Sequence, residues 1–228
     1  MKTIGLIGGC SYESTAIYYS RINELIRAER PGHGARLLLW SFDIDDIQQH
    51  IDRDEWPLAA EKFAAAARWL EDGGADCVLI CTNTMHRIAP EVVTTLRVPL
   101  INLVDVAAQS IKRAGSRAPL LLGTRYTMEQ AFYRDQLLRA GLDVRVPDQI
   151  DRAVVHDVIY RELMNGVIRE ESRHRLMQVI QKETSAGADS VILACTELGM
   201  LIHPQAVDVP VTDTLEAHAR AAVKFALG

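Results

Sequence analysis

Cys195 follows the apolar run Val191-Ile192-Leu193-Ala194 and precedes Thr196-Glu197, so a thiol stands where a buried strand ends and a helix begins. A helix N-terminus favours negative charge, which predicts a lowered thiol pKa and a group able to act as a base or nucleophile. The competing role is a buried structural cysteine, the commonest fate of a free thiol. The chain then says nearly the same thing twice. Residues 74–84 read GADCVLICTNT and residues 187–197 read GADSVILACTE. Laid without gaps, Gly74-Ala75-Asp76 falls on Gly187-Ala188-Asp189, and Thr82 falls on Cys195. Thr82 opens the polar triplet Thr82-Asn83-Thr84, whose hydroxyls and amide suit a cradle for an amino-acid carboxylate. Simple helix capping is the alternative. His86, two residues on, could orient a side chain or donate to an anion, or serve only as a surface or capping residue.

A second echo lies at almost the same offset. IGLIGG (4–9) matches PLLLGT (119–124), so Gly8 meets Gly123 and Gly9 meets Thr124. Strand-like runs at 3–8, 35–41, 76–81, 98–102, 118–122, 143–146, 190–194 and 209–211 alternate with helical patterns. The helices are expected at 13–29, 56–72, 86–95, 104–114, 127–140, 151–165, 169–186 and 213–227. Gly73-Gly74 and Gly187 sit where helix C-caps belong. Alternating β and α elements predict an α/β fold with parallel sheets. The duplication predicts two pseudo-symmetric α/β domains with the active site in the cleft between them. The boundaries read as 1–102 plus 210–228 for the first domain and 103–209 for the second. Ligands of parallel sheets bind at the carboxyl ends of strands. There lie Cys10 and Ser11 after Gly8-Gly9, the Thr82 triplet, Thr124 after Gly123, and Cys195-Thr196-Glu197. Unpaired N–H groups at such ends suit a carboxylate or phosphate.

Composition narrows the chemistry. The chain has 228 residues and a net charge of −5, which disfavours nucleic acid or an anionic membrane as partner. No apolar run approaches the roughly 20 residues of a membrane span, and no signal peptide is read, so a cytoplasmic protein is expected. The four cysteines, Cys10, Cys77, Cys81 and Cys195, form no CxxC or Cys/His ligand pattern, and no metal is expected. Cys77 and Cys81 read as packing. The run Gly5-Leu-Ile-Gly8-Gly9 is not G-x-G-x-x-G and no P-loop lysine follows. A pyridoxal phosphate enzyme would need a lysine in a cleft motif, and Lys2, Lys62, Lys112, Lys182 and Lys224 offer none. Arg53 and Arg125 could bind a distal carboxylate; taken alone, each reads as a solvated surface charge.

Taken together, Thr82-Asn83-Thr84-Met85-His86 and Ala194-Cys195-Thr196-Glu197-Leu198 resemble the C-N-T-x-H and C-T-E motifs of the aspartate/glutamate racemase family. IGLIGGCSYEST (4–15) looks like the family's IGxxGGMSxEST, with Cys10 where Met is usual, and LLGTRYTMEQAFYR (121–134) looks like its middle motif. The resemblance spans essentially the whole chain and is closest to the enteric broad-specificity or L-aspartate/glutamate-specific branch. It implies a cofactor-independent amino-acid racemase acting as a homodimer. One group removes the α-proton and a second returns a proton to the opposite face. In two-cysteine members both groups are thiols. Here Thr82 takes one slot, so Cys195 is the expected base for the L-enantiomer and Thr82 the opposite-face donor. Asn83, Thr84, Thr124 and Thr196, with Ser11 and Cys10, would cradle substrate. Glu197 and His86 would hold its ammonium or tune the thiol, and Arg53 with Gln48 or Gln49 would meet a side-chain carboxylate. Two other readings stay open: a single-cysteine decarboxylase of the same superfamily, and a non-catalytic small-molecule binding protein.

Overall fold

The computed structural model describes all 228 residues, which divide into two compact units: Met1–Leu103 with His218–Gly228, and Val104–Ala217. In the first unit, β1 (Ile4–Gly8) lies between β2 (Leu37–Ser41) and β3 (Cys77–Ile80), all parallel. β1 and β3 are buried along their whole length, as strands covered on both faces must be. The expected strand at 98–102 contributes only a bridge, Leu100 beside Val78, because Pro99 has no amide to extend the ladder. The helices of this unit are α1 (Tyr12–Glu29), α2 (Ile44–Asp52), α3 (Trp56–Asp72) and the short α4 (Ala89–Val93). The helix expected over 86–95 is instead a 3-10 turn, Thr84–Ile88, followed by α4 with Pro90 in its first turn.

The second unit begins with α5 (Leu103–Arg113), which starts on the last residue of the first segment. β4 (Pro119–Gly123), β5 (Ser190–Ala194) and β6 (Val211–Asp213) form a parallel sheet in that order, and Arg145 bridges to Leu120 on the outer side of β4. Around the sheet run α6 (Arg125–Glu129), α7 (Ala131–Arg139), α8 (Gln149–Arg161) and α9 (Glu170–Ser185). The single helix expected over 127–140 breaks at Gln130, whose backbone is extended. α10 (Thr214–Leu227) starts in the second unit and ends in the first. The stretch 210–217, assigned from sequence to the first domain, lies with the second because β6 pairs with β5. A core of Leu120, Leu122, Val155, Ile159, Leu176, Ile180, Val191 and Leu193 fills the space between this sheet and α8 and α9.

The sequence repeat is a repeat of hydrogen bonding. Ile4 pairs with Cys77 in the first sheet, and the aligned residues Pro119 and Ser190 pair in the second. Each GAD segment ends a helix and starts a strand. Gly74 (φ 96°) and Gly187 (φ 105°) take the left-handed conformation that glycine tolerates. Ala75 N–H then bonds Leu70 C=O, and Ala188 N–H bonds Glu183 C=O. The aspartates tie off the neighbouring strand: Asp76 accepts the Thr3 N–H at 2.7 Å, and Asp189 accepts those of Arg117 and Ala118 at 2.7 and 3.0 Å. Half of the repeated motif is therefore a folding device, and only its last residues reach the strand ends where chemistry is expected. No helix is long and apolar enough to cross a membrane.

Candidate active site

The second unit assembles its polar residues at the carboxyl ends of β4, β5 and β6. Gly123 and Ala194 are register partners, so Thr124 and Cys195, each one residue further, emerge side by side. A Cβ at Gly123 would lie 2.9 Å from the Ala194 carbonyl, which is why the strand ends there in glycine. Cys195 is 8 % exposed. Its thiol donates to Glu197 Oε2 at 2.9 Å, and the Thr196 hydroxyl donates to the same oxygen at 2.7 Å. Glu197 is itself buried. Thr124 caps α6 by accepting the Thr127 N–H, and its hydroxyl lies 3.2 Å from that of Thr127.

The electrostatics overturn one expectation. The thiol pKa is not lowered: burial, then the Glu197 charge, hold it well above its ordinary value. The reason is local. Beyond Glu197 the chain forms only a three-residue 3-10 turn, Leu198–Met200, which has no developed helix dipole to offset a carboxylate 2.9 Å from the sulfur. The same cluster contains Asp213, which sequence reasoning treated only as the start of a helix. It accepts the Glu216 N–H at 3.1 Å, burial raises its own pKa, and its charge adds to the elevation at Cys195. Gly199 makes room for it, since a Cβ there would stand 2.6 Å from Asp213 Oδ2. The available signal was an Asp directly before Thr-Leu-Glu, a helix-capping pattern at a strand end.

In the first unit the equivalent edge holds Gly9 and Thr82. The Cys81 N–H donates to Ile7 C=O, closing the β1–β3 ladder, and Thr82 follows it, half-buried. Gly9 (φ 91°) passes so close to Phe42 that a Cβ would stand 2.1 Å from its carbonyl oxygen. Asn83 and Thr84 are buried in the 3-10 turn that begins there. Ser11 caps α1, accepting the Ser14 N–H at 3.1 Å, and so does what any helix start requires. Cys10 is half-buried and close enough to Cys81 to influence its ionisation, after the larger effect of burial.

The surroundings of two further residues were not foreseen from sequence. His86 is buried with both ring nitrogens engaged: Nδ1 lies 2.8 Å from the Thr82 carbonyl oxygen and Nε2 accepts the Leu103 N–H at 3.0 Å. It supports the loop from beneath and has no ring nitrogen left for an anion. Arg53 is exposed and caps the far end of α2, about 13 Å along the helix from its start beside β2. Gln48 is bonded to Asp52 at 2.7 Å. The stretch between β2 and Arg53 is a helix because Ile44, Ile47 and Ile51 form an apolar stripe, and Arg53 stands at its C-terminal end, next to Asp54, which pairs with Arg87 of the turn after β3.

The arrangement offers a thiol paired to a buried carboxylate on one strand end, and a hydroxyl-rich turn on the equivalent strand end. Comparison with known proteins gives the family and the fold. The family model described as Asp/Glu/Hydantoin racemase matches residues 7–222. A Yersinia pestis protein described as a candidate Asp/Glu racemase superposes with a TM-score of 0.94 at 42% identity, over 100% of both chains. An aspartate racemase homologue of Pyrococcus horikoshii superposes with a TM-score of 0.89 at 31% identity, again over 100% of both. The broad specificity amino-acid racemase RacX of Bacillus subtilis is 25% identical over 225 residues, 96% of each chain. The two repeated α/β sheets are thus a fold shared with these racemases, and the chain belongs to the Asp/Glu/hydantoin racemase family.

Proposed function

We propose that the protein is a cofactor-independent racemase of glutamate, aspartate or a broader set of amino acids. Cys195 takes the α-proton from the L-enantiomer, and a proton returns to the other face of the α-carbon from the Thr82 side. The observation that carries this reading is the Cys195–Glu197 bond. A thiol whose proton already points at a carboxylate can release it there as sulfur takes the α-proton. In abstraction one proton moves from sulfur to Glu197 and one from carbon to sulfur; water then replaces the proton given up on the Thr82 side and takes back the one held by Glu197, which restores the site. The carbanion needs donors aimed at its carboxylate. Asn83 and Thr84 on one strand end, and Thr124 and Thr196 on the other, are the groups of suitable type, with nearby backbone N–H groups. For a side-chain carboxylate the proposed partner is Arg53, with Gln48 or Gln49.

Thr82 makes the two directions unequal in rate. A hydroxyl can protonate a strongly basic carbanion, but as a base it needs help. Turnover from L-substrate should therefore exceed turnover from D-substrate, within the fixed equilibrium between enantiomers. A homodimer working in the cytoplasm completes the proposal by family likeness. Thr82 in place of a second thiol also favours one rival, a decarboxylase that protonates a single face.

The deciding experiment tracks loss of the α-proton of L-glutamate and L-aspartate by proton NMR in D₂O, with chiral analysis of the same samples and Cys195→Ser as control. Exchange with D-product, abolished in the variant, supports the racemase. No exchange with any amino acid, combined with CO₂ release from an activated malonate, would replace it with the decarboxylase.

A further inference from the structure

Two buried histidines underlie the Thr82 turn, and the backbone fixes the tautomer of each. The Leu103 N–H can only donate, so His86 Nε2 accepts and the ring proton sits on Nδ1, facing the Thr82 carbonyl at 2.8 Å. The Ile101 carbonyl can only accept, so His218 Nε2 carries its proton and donates there at 2.7 Å. His218 Nδ1 then accepts from the Tyr18 hydroxyl at 2.9 Å. The rings stand 6.0 Å apart, edge to face, and Tyr18, His86 and His218 are each no more than 2 % exposed. Burial, with His86 nearby, keeps His218 neutral down to about 3. Residues 101–103 are held from both sides just before the chain leaves the first unit, and His218 is the first residue of its return.

Thr82 lies beyond the last ladder bond of β3, so the ladder does not set the direction of its carbonyl. We infer that His86 is a positioning residue: through its Nδ1–H it orients the Thr82 peptide and hence the hydroxyl, with Tyr18, His218 and Ile101 buttressing it. This rests on the racemase reading above. Proton delivery tolerates little misplacement, so losing one hydrogen bond should cost inversion more than abstraction.

The test uses three substitutions. His86→Asn keeps a donor where Nδ1 stood, His86→Gln keeps an acceptor where Nε2 stood, and His86→Leu keeps neither. In D₂O with L-glutamate, the readout is D-product formed relative to deuterium washed into remaining L-substrate. The expected result is a ratio within about twofold of wild type for His86→Asn and about tenfold lower for His86→Gln and His86→Leu, the worth of one hydrogen bond. A merely structural histidine would lower both rates together, and an unchanged ratio in every folded variant overturns the inference. A second measurement needs no activity and no variant. ¹⁵N spectra of the wild-type imidazoles should show His86 as the Nδ1–H tautomer and His218 as Nε2–H. The opposite tautomer at His86 refutes the inference by itself. Wild-type protein with neither exchange nor inversion refutes the racemase reading instead, while the ¹⁵N spectra still decide whether His86 Nδ1–H holds the Thr82 carbonyl.

Discussion

Removing the charge of Glu197 while keeping its shape should make Cys195 more acidic and the enzyme less active. In Glu197→Gln the thiol loses a carboxylate 2.9 Å from its sulfur. At an effective dielectric constant of about 20, two unit charges at that distance repel by about 6 kcal/mol. The amide dipole and relaxation of the turn offset part of this. If only a quarter survives, roughly 1.4 kcal/mol, the thiolate fraction at a fixed pH still rises about tenfold. The sign is unambiguous, because burial and the Glu197 charge both raise the wild-type pKa, and the variant keeps burial, the Asp213 charge and the Glu197 backbone N–H bond, which lowers it. The assay is the ultraviolet absorbance of thiolate against pH, taken as the difference between Glu197→Gln and Glu197→Gln/Cys195→Ser, which cancels Cys10, Cys77 and Cys81. The midpoint should fall relative to the same difference in the wild-type background. Racemisation should fall at least tenfold in the same variant, since the proton acceptor is gone although thiolate is more abundant. A midpoint that stays or rises refutes the electrostatic argument. A lowered midpoint with faster racemisation refutes Glu197 as the acceptor and leaves it only a brake on the thiol.

Folding stability should decline on both sides of neutrality. His218, held at about 3 in the fold, binds its proton first in the unfolded chain, so its contribution is present above about pH 6.5 and is lost as pH falls; between 6.5 and 5 the loss is about 2 kcal/mol. Cys77, pushed up to about 12 by burial, and Cys81 and Cys195, also raised, ionise first in the unfolded chain. Their contribution is intact below about pH 8.5 and is lost above it at about 1.4 kcal/mol per pH unit for each thiol. Urea midpoints from pH 5 to 10 check both limbs, and a flat profile contradicts them. Gly9→Ala should abolish the soluble fold or cost more than about 3 kcal/mol, because both φ and the Phe42 carbonyl exclude a side chain; wild-type thermal stability would refute that. Asp189→Ala should cost about 1–3 kcal/mol by freeing the Arg117 and Ala118 amides, read by chemical denaturation, and a change below 0.5 kcal/mol would be too small for the clamp described (roughly the level of an ordinary surface substitution).

Much of the architecture was legible because its signals are local. Buried parallel strands read as apolar runs, and the Gly at each helix end reflects the left-handed turn that only glycine makes freely. The duplication of GAD and of the strand after it placed Thr82 and Cys195 at equivalent strand ends, and the hydrogen-bond register agrees. α2 escaped because nine residues with a narrow apolar stripe resemble a loop, so the helix that ends at Arg53 was not foreseen. Asp213 was hidden because a carboxylate before a helix reads as a cap whether or not it also faces a thiol.

The order of the elements and the chemical type of each strand end were determined by the sequence alone. The state of those groups was decided by tertiary structure. Whether a thiol is acidic depends on how deeply it is buried and which charge folds back against it, and here burial, then Glu197, reverse the expectation drawn from a helix start. Whether His86 meets a ligand depends on what lies behind it. Its partners are an amide 17 residues away in sequence and, through residues 101–103, a histidine 117 residues further on. Such pairings are long-range and leave no period or motif in the chain, because burial and hydrogen-bond geometry exist only once the elements have packed.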